Sequence, residues 1–207
     1  MENGSRAKQG KIASKNLYRN CPRYGGAMGR EVRKMILAID PGNEKSAYVV
    51  LEDDLRPGEF GKVSCAHVRD IVIPTLVDLY PGITLAIEMV ASYGMPVGRE
   101  VFETCFWAGM FWQAANVSKR RLIYRMDEKL CLCHDSRAKD ANIRQALIDR
   151  FAYGVPNRGK GTKKDPGWFY GFSADVWQAY AVGVTCADMM EGRYKRSESQ
   201  GAKRADG

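Results

Sequence analysis

At 207 residues, with 45% hydrophobic and 10% aromatic side chains, the chain can bury one good core, and a single domain of roughly 150 residues plus tails is the default reading. No apolar run reaches the ~18 residues of a membrane span, and the polar, basic N-terminus lacks an apolar h-region, so neither a span nor a signal peptide is expected. A net charge of +8 and a pI near 9.2 suggest a polyanionic partner without identifying it.

Residues 1 to 34 carry nine Lys/Arg against Glu2 and Glu31 and have no hydrophobic period, so 1–33 reads as a basic flexible extension. Met35 to Asp40 and Ala47 to Leu51 read as strands around the turn Pro41-Gly42-Asn43. The apolar run ends on a bare carboxylate, Asp40, which loses hydration there and needs a partner or a task. Gly61 to Val68 reads as a third antiparallel strand. Asp53 and Asp54 read as exposed turn residues.

Asp70 to Tyr80 has helical spacing broken at Pro81-Gly82, and "ITLAIEM" follows as a second apolar strand that ends on a carboxylate, Glu88. Val97 to Val117 is expected to be a long apolar helix, with Phe102, Phe106, Met110 and Ala114 along one face. "RLIYRM" (Arg121 to Met126) reads as a fifth strand. Cys131, Cys133 and His134 form C-x-C-H, but no second Cys/His pair stands at zinc spacing, so reduced buried thiols are the better reading.

Asp140 reads as the N-cap of an amphipathic helix through Phe151. A basic, Gly-rich loop, "PNRGKGTKKDPG", precedes a last helix from Ser173 to about Glu191. The expected domain is thus residues 34–191, with 192–207 a flexible tail. A right-handed crossover lays the strand ending at Glu88 beside and parallel to the first strand, which brings Asp40 and Glu88 to one sheet edge. Asp175, in the first turn of the last helix, can supply a third acid. Such acids repel one another unless a cation neutralises them, and oxygen ligands of this kind suit Mg²⁺ or Mn²⁺.

The stretches "ILAIDPG", "LAIEMV", "SRAKDANIRQALIDRF" and "SADVWQAYAVGVT", in this order and spacing, resemble a RuvC-like Holliday junction resolvase of the RNase H-like superfamily, most similar to phage-borne members. The resemblance covers about Met35 to Met190. It implies an α/β fold with a mixed five-stranded sheet flanked by helices, and a Mg²⁺-dependent endonuclease acting on branched DNA as a homodimer, in the cytoplasm of a bacterial or phage-infected cell. It implies Asp40, Glu88 and Asp175 as catalytic metal ligands.

At the family's second acidic position on the last helix this chain has Gln178. That amide can still offer a carbonyl oxygen to a metal but gives up one charge. Asp165 and Asp140 are spare candidates. Arg137, Lys139 and Arg144, with Arg158, Lys160, Lys163 and Lys164 in the basic loop, are expected at the DNA backbone, and Tyr93 or Met95 as a wedge in the junction centre. A branched-DNA-binding protein with weakened catalysis, another RNase H-like nuclease such as a ribonuclease or transposase core, and an actin-like phosphate loop are the alternatives. The last needs two domains, and the chain is too short for both. His67 and His134 are assigned nothing.

Overall fold

A computed structural model describes residues 34–92 and 96–196. Strands β1 (Ile36–Asp40), β2 (Lys45–Leu51) and β3 (Pro57–Ser64) form an antiparallel meander, and β4 (Thr84–Met89) and β5 (Arg120–Tyr124) extend it in parallel. The order across the mixed sheet is β3-β2-β1-β4-β5. β1 is apolar at every position before Asp40 because both of its faces are covered. Ile36 and Ala38 join a core built on helices α5 (Asp140–Phe151) and α6 (Ala174–Met190). Leu37 and Ile39 join the opposite core, with α2 (Ile73–Leu79) and α3 (Arg99–Ala114). The expected architecture, a mixed five-stranded sheet between helical layers, is the one observed.

Several boundaries differ from the sequence reading. The third strand stops at Ser64, whose hydroxyl accepts from the His67 N–H at 3.3 Å and starts a helical segment much earlier than Asp70. That segment runs through α1 (Cys65–His67) and a π-helical stretch (Val68–Val72) into α2. The fifth strand ends at Tyr124 rather than Met126. The Asp127 carboxylate accepts from the Tyr124 N–H at 2.9 Å, so Arg125 opens a helix, α4 (Arg125–Cys133), that the apolar pattern did not reveal. α5 is capped from Lys139, not Asp140: Asn142 Oδ1 accepts from the Lys139 N–H at 2.9 Å, which frees Asp140 for another partner. α3 turns Ala108 and Phe111 inward and leaves Phe102 and Phe106 each 63% exposed. In the expected tail, Arg193 pairs with Asp188 at 2.6 Å and Arg196 Nε donates to Asp127 at 2.9 Å.

α6 lies close enough to the sheet that Gly183 has no room for a side chain. A Cβ there would stand 2.5 Å from Leu51 Cδ1 and 3.1 Å from Ala38 Cβ, both fully buried. Gly183→Val is therefore expected to cost roughly 1–3 kcal/mol through overpacking. A lowered urea midpoint checks this, and an unchanged one would contradict the close approach.

Candidate metal and nucleic-acid site

One row of residues crosses the whole sheet. Asp40 pairs with Ala47, Ala47 with Lys62, and Glu88 with Ile123. The Ile39–Ile87 pairing sets Asp40 beside Glu88 on the parallel neighbour. Alternation puts Asp40 and Glu88 on the face covered by α6, because Ala38, Ala86 and Ile123 belong to that core. The chain leaves this row abruptly. Pro41 follows Asp40, and a Cβ on Gly42 would lie 2.3 Å from the Lys45 carbonyl oxygen, so only glycine fits the turn. The Gly42 N–H donates to Ser46 Oγ at 3.2 Å, and the Cys65 thiol donates to the Gly42 carbonyl at 3.3 Å. These bonds fix the turn that presents Asp40.

The two acids stand within hydrogen-bonding reach of each other, an interaction that raises Asp40 and lowers Glu88. Burial pushes Asp40 well above the usual carboxylate range, and the charges of Glu88 and Asp175 push it further. Burial also raises Glu88, though Arg125 and the interaction with Asp40 offset part of that. Asp175, at the start of α6, is close enough for its charge to act on Asp40, and its carboxylate pairs with Lys62 at 2.9 Å. Gln178, one turn on, accepts from Arg125 Nη1 at 2.8 Å.

Arg125, Lys62 and Glu128 are the site residues that the sequence reading missed. Arg125 bonds Glu128 Oε2 at 2.5 Å and also bonds Asp140. Burial disfavours its charge, but Glu128, Glu88 and Asp140 outweigh that and hold the guanidinium charged. Glu128 is fully buried, with its pKa raised well above normal by burial and then by the charge of Glu88. The i, i+3 spacing of Arg125 and Glu128 was the available signal. It counted for little while Arg125 was read as strand.

The remaining expected residues sort as follows. Tyr93 and Met95 lie outside the described residues. Arg137 and Lys139 are exposed and, with Arg125, Lys129 and Asp140, line an open cavity of about 520 Å³. Arg144 stacks over Trp177, 5.5 Å from its ring centre. Arg158, Lys160, Lys163, Lys164 and Asp165 are all exposed in the basic loop. Asp165 closes a turn in which its N–H donates to Thr162 Oγ1 at 3.1 Å. Asp53 and Asp54 accept backbone bonds from Lys34 and Arg56, as turn residues do. Cys131 points its thiol at Asp188, 3.5 Å away.

Among the described residues no three His, Cys, Asp or Glu side chains converge in the arrangement of a finished metal cage. The chemistry of the Asp40–Glu88 pair nevertheless fits a hard cation. The donors are all oxygen, and the two acids stand half-buried side by side on adjacent strands. Asp175 can join them by leaving Lys62.

A raised carboxylate in the folded state binds protons more tightly than in the unfolded chain, so stability is lost as pH rises from about 4 through the folded value. In chelator, the thermal midpoint of the wild type should fall as pH rises above about 4, and that of Asp40→Asn should fall less. Equal slopes would contradict the raised Asp40.

No family model matches the chain, and no curated protein matches it in sequence. Solved structures do match in fold. RuvC of Thermus thermophilus superposes with a TM-score of 0.54 at 16% identity, covering 76% of this chain and 96% of that one. T. thermophilus RuvC in complex with a Holliday junction substrate gives the same TM-score and identity, over 77% and 96%. The chain therefore has a RuvC-like fold.

Proposed function

We propose that this chain is a divalent-cation-dependent endonuclease that cuts branched DNA, with the four-way junction as its first candidate substrate. The observation that carries this reading is the Asp40–Glu88 pair, two strand-end acids side by side on adjacent parallel strands in a strongly basic chain. The neighbouring T. thermophilus structure holds a Holliday junction, which makes branched DNA the substrate class to test first.

Asp40, Glu88 and Asp175 would hold Mg²⁺ or Mn²⁺, which supplies an activated water and charge stabilisation at the leaving oxygen. The residues of the chain do the rest. Lys62 neutralises Asp175 until a cation arrives, Arg137 and Lys139 draw the backbone toward the acids, and Lys160, Lys163 and Lys164 hold it from the loop before α6. Water adds to phosphorus, the P–O3′ bond breaks, and a 5′-phosphate and 3′-hydroxyl result.

The protein acts as a homodimer in this reading. Phe102 and Phe106 offer exposed aromatic surface on α3 for a second copy. A cavity of about 750 Å³ beside them carries Glu44, Glu100 and Glu103 against Arg99, a balance that does not favour DNA on that face. Gln178 and the Lys62–Asp175 pair favour one second reading, a junction-binding protein with weak catalysis.

Cleavage of labelled four-way, three-way and linear DNA with and without Mg²⁺ separates the two. Asp175→Asn should lower cleavage by roughly a hundredfold or more. It should leave junction binding intact or tighter, because a negative charge near phosphate is gone. Mg²⁺-independent cutting would refute the cation dependence, and no cutting by the wild type would refute the nuclease.

A further inference from the structure

Gln178 lies one helical turn beyond Asp175 and binds Arg125 rather than facing an open space. The same guanidinium is gripped by Glu128, which is fully buried and keeps one oxygen, Oε1, without a hydrogen-bond partner. A buried carboxyl group gains from a cation held against it, and Arg125 is that cation. Asp140 holds the guanidinium from α5, and the charge of Glu88 acts on it from β4. Arg125 thus belongs to the carboxylate site. It also lines the open cavity of about 520 Å³ whose other charged residues are Lys129, Arg137, Lys139 and Asp140. Four cations against one acid suit a phosphate group.

We infer that Arg125 is the resident cation on the Gln178 side of the site: its guanidinium fills the position a second divalent ion would need, and its open edge takes an oxygen of the DNA phosphate arriving through the basic cavity. This rests on the nuclease reading above. An acid at position 178 would recruit a divalent ion. The neutral amide instead accepts one bond from a guanidinium already in place, and the fixed positive charge repels a further dication at close range. The site therefore takes one divalent ion, on the Asp40, Glu88 and Asp175 side. Arg125 moves no proton; the proton of the attacking water leaves to solvent while Arg125 balances charge on a non-bridging oxygen.

The test is the Mn²⁺ electron paramagnetic resonance spectrum of the full chain bound to a four-way junction with phosphorothioate linkages through its centre. Two Mn²⁺ about 4 Å apart give an exchange-coupled spectrum, and a single ion does not. The wild type should show one isolated ion per chain. The triple variant Arg125→Met, Glu128→Gln, Gln178→Asp removes the resident cation without stranding the buried acid, and should show a coupled pair. A coupled pair in the wild type overturns the inference and leaves the nuclease reading standing. A triple variant that binds a single ion overturns it as well. Absence of bound Mn²⁺ in the wild type overturns both. Should the triple variant not fold, the wild-type spectrum alone decides.

Discussion

The constraint on which the structure turns is the electrostatic cost of holding Asp40 against Glu88. Two carboxylates buried side by side cannot both ionise cheaply, so they share a proton or wait for a cation. Keeping them together takes two parallel strands in register, a crossover of one hand between them, and a turn that ends β1 sharply. It also takes a helix close enough to bring Asp175 to the same edge, and the close contact at Gly183 allows that approach.

Around the acids the charges fall into two sets. Lys62 and Arg125 are each tied to carboxylates of the site. Arg137, Lys139 and the lysines of the loop before α6 are exposed and free to meet a polyanion. The first set tunes what the acids can bind. In the proposed nuclease the second brings phosphate to them, an effect that weakens with salt because it works through solvent. The cavity beside α3 has the opposite balance, with Glu44, Glu100 and Glu103 against Arg99.

Much of this was legible in the sequence. Apolar runs ending on Asp40 and Glu88 announced paired acids on neighbouring strands, since such runs read as buried strands and a terminal charge needs a reason. Asp175 was legible from its place in the first turn of the last helix. Arg125 was not, because "RLIYRM" continues the apolar pattern of a strand, and the helix start depends on a local bond, from the Tyr124 N–H to Asp127, that periodicity does not register. Lys62 was hidden for a different reason. Its role arises from cross-strand register two strands from Asp40, which no local pattern encodes. Asp140 shows the reverse error: it fits a cap by residue type, but Asn142 took that task and left Asp140 to Arg125.

The central claim is that the Asp40–Glu88 pair is a cation site. Anomalous scattering at the manganese edge from crystals grown with Mn²⁺ tests it most directly. The account predicts a peak about 2.1 Å from a carboxylate oxygen of each acid. Manganese absent from that position, with the two carboxyl groups still side by side, would contradict it.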